Sequence, residues 1–177
     1  EPGTRRDTIR DCRRHPRYSG WLPDPGTAGE GHLQVMSIQV QTFATADQVA
    51  TSVSDTIVTL VQNSSAYNLG LATGSTPIKT YGKLVEHHRK GVSFEAVTTF
   101  NLDEYVGLTS EHPKSYHFYM TEYLFDHVDI SSNQTHIPAG DTDDLDAECA
   151  QYEREIHDSG GVDLWLLGIG SNGHIAF

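Results

Sequence analysis

Three stretches of this chain carry side chains that could do chemistry, and each follows a short apolar run. Asp103 and Glu104 come at the end of the run 96–100. A carboxylate there can act as a general base if its surroundings hold it against a reacting carbon. The plain alternative is a solvated loop. His174 closes the glycine-rich stretch Gly168-Ile169-Gly170-Ser171-Asn172-Gly173-His174. Imidazole titrates near neutral pH and suits proton transfer at oxygen. Asn172 can orient it or a substrate hydroxyl. Alternatively, the ring serves only to bond a backbone carbonyl. The third stretch is Thr73-Gly74-Ser75-Thr76-Pro77. Gly74 lets the backbone approach an anion, Ser75 and Thr76 add hydroxyl donors, and a helix starting here offers free N–H groups. This stretch is neither GxxxxGK[ST] nor GxGxxG, so it points to neither a P-loop nor a dinucleotide. A simple helix cap is the other reading.

The elements that must position these residues alternate regularly. A strand is expected from Met36, with Ile38, Val40 and Thr42 on one side. Thr45 or Asp47 can cap a helix whose stripe is Val49, Val53, Ile57, Leu60 and Val61, ended by Asn63-Ser64-Ser65. Residues 67–72 form the next strand. Thr76 as N-cap and Pro77 at the first helical position start a helix lined by Ile78, Tyr81, Leu84 and Val85. After the strand 96–100, Pro113 opens a helix with Tyr116, Tyr119, Met120, Tyr123 and Leu124 on one side. A short strand follows at 135–138. Leu145, Cys149, Tyr152 and Ile156 mark an amphipathic helix over 143–158, ended by Gly160-Gly161. Residues 162–167 are dense in apolar side chains, as at the buried centre of a parallel sheet. Strand–helix alternation of this kind predicts an α/β fold: a three-layer α/β/α sandwich on a mostly parallel sheet. Ligands bind such sheets outside the carboxyl ends of the strands, where the three stretches would meet.

Composition narrows the function. The chain has 177 residues, 37% apolar and 20% charged, which fits one globular domain with a core. A net charge of −12 argues against nucleic acid, whose backbone calls for a basic face. It leaves room for a single phosphate. No apolar run is long enough for a membrane span, so no membrane partner is expected. Cys12 and Cys149 lack a CxxC partner, so a disulfide framework is not expected and a reducing cytoplasm fits. The histidines, including His87, His88, His112 and His117, lack metal-ligand spacing and read as surface residues, so no metal is expected. Residues 1–35 hold six of the twelve Lys and Arg, together with four prolines and five glycines. They read as a disordered or extraneous leader before a domain over 36–177.

Four motifs in register resemble the glucosamine-6-phosphate deaminase family. They are Leu71-Ala72-Thr73-Gly74-Ser75-Thr76-Pro77, Thr99-Phe100-Asn101-Leu102-Asp103-Glu104-Tyr105-Val106-Gly107-Leu108, His112-Pro113-Lys114-Ser115-Tyr116, and the stretch from Gly168 through His174 to Ile175-Ala176-Phe177. The resemblance runs from about Met36 to Phe177. It implies a Rossmann-like sandwich and conversion of glucosamine 6-phosphate and water to fructose 6-phosphate and ammonia, in amino-sugar catabolism. By resemblance, Asp103 moves the proton between C2 and C1, His174 assists ring opening, Asn172 supports His174, and Gly74, Ser75 and Thr76 hold the phosphate. No cofactor is implied; the partner is a small amino-sugar phosphate, and a homo-oligomer is compatible with the reading. The family motif continues past Phe177 with Asn-Glu-Pro, whose Glu is a further catalytic residue. The chain is therefore expected to be incomplete at the C-terminus and inactive alone. Two other readings share the scaffold. A 6-phosphogluconolactonase would be a hydrolase, though that group usually has Arg after Asp-Glu where this chain has Tyr105. A non-catalytic sugar-phosphate-sensing domain would need a DNA-binding module, which residues 1–35 do not resemble.

Overall fold

The computed structural model describes residues 38–176. The expected leader over residues 1–35 lies outside them. Four strands form one parallel sheet: β1 Tyr67–Leu71, β2 Val97–Asn101, β3 Thr135–His136 and β4 Leu164–Trp165, in the order β3-β2-β1-β4. Their central pair is in full register from Tyr67 opposite Val97 to Leu71 opposite Asn101. The helices are α1 Ala46–Gln62, α2 Ile78–Arg89, α3 Tyr116–Tyr123 and α4 Leu145–Asp158.

Alternation along the strands sends side chains to two faces. Leu69, Leu71 and Val97 share one core with Ile57 and Val61 of α1, Leu84 and Val85 of α2, and Met120 of α3. Phe100 points to the opposite face. There it stacks on His136 with ring centroids 4.7 Å apart and meets Tyr152 of α4 edge-on at 6.2 Å. The Tyr152 hydroxyl donates to the Asn101 carbonyl at 2.7 Å, so α4 is fastened to the end of β2. Three helices on one face and one on the other give the expected α/β/α layering.

Local chemistry sets the helix ends. Thr45, rather than Asp47, caps α1 in a capping box with Gln48. The buried stripe of α1 is Ala50, Ser54, Ile57, Val58 and Val61, with Val49 turned outward. Asp144 caps α4 by accepting from the Ala147 N–H. Past its end, Gly160 and Gly161 both take positive φ, as expected for a helix stop.

Several expectations are corrected. Residues 38–43 form no strand, and Ile38 and Val40 are exposed. Alternation alone does not hold a strand without a partner edge, and no described strand pairs with this segment. Thr76 makes no cap. Helix α2 begins at Ile78 after Pro77, with no side-chain cap bond, because residues 75–77 are spent in the turn. Pro113 does not open α3. Ser115 does, its hydroxyl accepting from the Phe118 N–H at 3.0 Å. Residues 162–167 are not a buried central strand among the described residues. Only Leu164 and Trp165 are strand, paired to β1 alone and partly buried. Trp165 lies directly over Gly70, where a Cβ would meet its ring at 2.0 Å. Cys149 is buried on α4 and is not a free thiol, so the reading of unpaired cysteines fails there; Cys12 lies outside the described residues.

Candidate active site

Because all four strands are parallel, the segments that follow β1, β2 and β4 leave from one edge of the sheet. The first holds Gly74, Ser75 and Thr76, the second Asp103, and the third Asn172 and His174. Gly74 has φ +111°, a conformation that glycine adopts without strain, and residues 74–76 are exposed. The tyrosines of α2 and α3 support this turn from below. The Tyr81 hydroxyl donates to the Ala72 carbonyl, and that of Tyr119 donates to the Gly74 carbonyl at 2.6 Å. Burial, with the neighbouring Tyr123, pushes Tyr119 up to about 12, so it stays a donor at any working pH.

Asp103 and Glu104 are both buried, which the solvated-loop reading does not allow. They do different things. Glu104 is fully enclosed and points at the first turn of α3. It accepts from the N–H groups of Tyr105 at 2.8 Å, Tyr116 at 2.9 Å and His117 at 3.1 Å, and from the His117 ring at 3.0 Å. Burial alone would raise its pKa. The bonds from the His117 ring and the three N–H groups outweigh that and hold it below the ordinary carboxylate value. His117 is thus a buried carboxylate's partner and not the surface residue expected. Tyr116 lies beside Tyr105 at a ring distance of 4.8 Å, with Thr73 close by. Burial raises its pKa first, then the Tyr105 side chain, then the nearby Asp103 charge. The Asp103 charge and the Thr73 side chain both act on this one phenol, so the second and first stretches lie near each other. The Tyr105 carbonyl also abuts Gly140, where a Cβ would come within 2.1 Å, and the Gly107 N–H donates to the Gly140 carbonyl.

His174 reaches the same edge after β4, two strands from β2, on an exposed and tightly folded loop. The Gly170 N–H donates to the His174 carbonyl at 2.8 Å, Ile169 pairs with Ile175, and the ring lies where a side chain on Gly170 would be. Its Nδ1 bonds Asn172 Oδ1. An amide oxygen only accepts, so Nδ1 carries the proton and Nε2 keeps its lone pair. The ring thus bonds a side chain and not the backbone carbonyl of the plainer reading. What relates His174 to Asp103 is the shared edge. Among the described residues no cluster of three or more His, Cys, Asp or Glu could hold a metal ion, and no helix is long and apolar enough to cross a membrane.

Sequence reasoning singled out Glu104 beside Asp103 without its separate role, and missed Tyr116, Tyr119 and Tyr81 as parts of the site. Tyr116 and Tyr119 had a signal, since i and i+3 on one helix share a face. Glu104 had none: its partners lie twelve and thirteen residues further on.

The geometry has a stability consequence with a definite sign. Glu104 has a folded pKa below its unfolded one, so its contribution is present above the ordinary carboxylate value of 4.5 and lost as pH falls through the folded value. Urea unfolding between pH 7 and pH 3 should therefore fall more steeply for the parent than for Glu104→Gln. Parallel pH curves would contradict this.

Known proteins resemble this chain in sequence and fold. Residues 41–176 match the family model described as glucosamine-6-phosphate isomerases/6-phosphogluconolactonase. A glucosamine-6-phosphate deaminase of Geobacillus sp. is 51% identical over 132 residues, covering 74% of this chain and 53% of that protein. A solved monomeric glucosamine-6-phosphate deaminase is 42% identical with a TM-score of 0.77, over 79% of this chain and 58% of that one. A 6-phosphogluconolactonase from Thermotoga maritima is more distant, at 27% identity and a TM-score of 0.63, over 73% of this chain and 58% of that one. The chain spans about half the length of the curated relatives it matches. With three strand-end segments gathered at one sheet edge and a family match over most of its length, the chain belongs to the glucosamine-6-phosphate isomerase/6-phosphogluconolactonase family.

Proposed function

We propose that the whole protein converts glucosamine 6-phosphate and water to fructose 6-phosphate and ammonia. The observation that carries this is the buried Asp103 carboxylate, on the same sheet edge as the Gly74 turn. The reaction needs a base at carbon within reach of an anchored phosphate. Gly74, Ser75 and Thr76 take the phosphate through backbone N–H and hydroxyl donors. His174 Nε2 takes the O1 proton and returns it to the ring oxygen, opening the pyranose. Asn172 holds the tautomer that leaves Nε2 able to do so. Asp103 then removes the C2 proton. The electron pair moves into the C1–C2 bond, the substrate's C2 ammonium gives a proton to O1 so that the aldehyde becomes an enol, and Asp103 delivers its proton to C1. The C2 amine is left as an imine, water adds at C2, and ammonia leaves with the proton. The oxidation at C2 is balanced by the reduction at C1, so this chemistry calls for no redox cofactor. A phosphate dianion does not cross a bilayer unaided, because it would have to shed its water. That supports a reaction in the cytoplasm.

The relatives named as deaminases favour this over lactone hydrolysis, standing at 51% and 42% identity against 27%. Tyr105 after Asp103-Glu104 points the same way. The test is ammonia and fructose 6-phosphate release from glucosamine 6-phosphate, beside hydrolysis of 6-phosphogluconolactone. Lactone hydrolysis without ammonia would replace this reading with the hydrolase. Binding of sugar phosphates without either reaction would replace it with a sensing domain.

A further inference from the structure

Among the described residues, Glu104 is a fully buried charge for which the reaction above has no use. It sits next to Asp103 and yet turns away from the sheet edge, into α3. Its side chain is 1% exposed, and both oxygens are occupied by donors: Tyr116 N–H lies 2.9 Å from each, Tyr105 N–H bonds Oε1, and the His117 N–H and ring bond Oε2. Every one of these donors belongs either to the residue after Glu104 or to the first turn of α3. The carboxylate therefore ties the backbone just past Asp103 to a helix start. The same helix carries Tyr116, which packs on Tyr105 and feels the Asp103 charge, and Tyr119, which holds the Gly74 carbonyl. One helix thus braces both the carboxylate segment and the phosphate turn, and Glu104 is its bond to the former.

The geometry points to Glu104 as a positioning residue for the reaction: by clamping the segment after β2 to the first turn of α3, it sets where the Asp103 carboxylate stands relative to an anchored sugar phosphate. This inference rests on the deaminase reading for its activity arm only. The phosphate turn has a second support that does not pass through Glu104, the Tyr81 hydroxyl of α2 on the Ala72 carbonyl. Loosening Glu104 should therefore disturb Asp103 more than it disturbs phosphate binding, which separates kcat from KM.

The experiment compares Glu104→Gln and His117→Phe with the parent in the whole protein. Glutamine keeps the shape but turns an N–H₂ toward N–H donors, so at least one bond of the clamp is lost. Phenylalanine removes only the ring donor and leaves the three backbone bonds. For folded Glu104→Gln, kcat should fall about 10- to 100-fold with KM within about twofold, the scale expected when a reacting group is misplaced by an ångström. His117→Phe should lose about two- to fivefold in kcat with KM unchanged. Hydrogen exchange is read in parallel. The Leu102–Tyr105 amides should exchange faster in Glu104→Gln, while those of β1 and α2 keep parent rates. Parent-like kcat in both variants, or a loss of kcat that merely follows the unfolded fraction, would overturn the proposal. If the parent releases no ammonia, the deaminase reading has failed and the exchange arm alone decides. Unchanged exchange at 102–105 then overturns the clamp. If Glu104→Gln does not fold, His117→Phe decides by the same split.

Discussion

Asp103→Asn is expected to lower ammonia release by the whole protein about two to four orders of magnitude, the usual worth of a positioned general base. The substitution keeps the shape and volume of the side chain. It removes the one property the reaction needs, a lone pair basic enough to take a proton from carbon. Asp103 is 8% exposed, so bulk water has poor access to replace it. The phosphate turn is held by Tyr119 and Tyr81, and neither bond passes through Asp103. Binding of fructose 6-phosphate should therefore persist, within about threefold, as for an interaction made mainly in the transition state. Deuterium uptake at C1 of fructose 6-phosphate in heavy water gives a second readout, because it reports the proton transfer alone. Turnover within tenfold of the parent would sink the assignment of Asp103 as the base.

Phe100→Ala carries the largest expected cost in stability, about 3–5 kcal/mol. Phe100 is fully buried and is the chief apolar contact between β2 and the α4 face. Truncating it leaves a cavity between His136 and Tyr152, and the hydrogen bond from Tyr152 to the Asn101 carbonyl loses the packing that aligns it. Since domains are stable by only about 5–15 kcal/mol, such a loss takes a large share of the total. Urea unfolding of parent and variant, with similar slopes, measures it. A difference under about 1 kcal/mol would mean that α4 does not depend on this contact.

The sequence was readable where a local rule had no competitor. Gly160-Gly161 gives the end of α4. The alternation of strands and helices gave the layered parallel fold, and the three strand-end stretches do leave from one edge. What failed depended on partners elsewhere. Val40 and its neighbours alternate like a strand, but a strand exists only where an edge accepts it. The apolar run 162–167 reads as central, and its place in the sheet depends on which strands flank it. The Asp103-Glu104 pair looks like two equivalent carboxylates. Their division of labour depends on a helix start twelve residues away, which neither spacing nor composition encodes.

The seating of Trp165 over Gly70 gives the molecule an optical handle on its own active-site edge. Strand β4 meets β1 at only two register positions, Leu69 with Leu164 and Gly70 with Trp165. So short a ladder opens at lower free energy than the five-residue pairing of β1 with β2. The indole sits in that ladder, a few residues before the loop that presents His174. The chain has two tryptophans, and the other, Trp21, lies outside the described residues. In a Trp21→Phe background the emission of one fluorophore would follow the docking of the histidine-bearing segment, separately from the melting of the core beneath it.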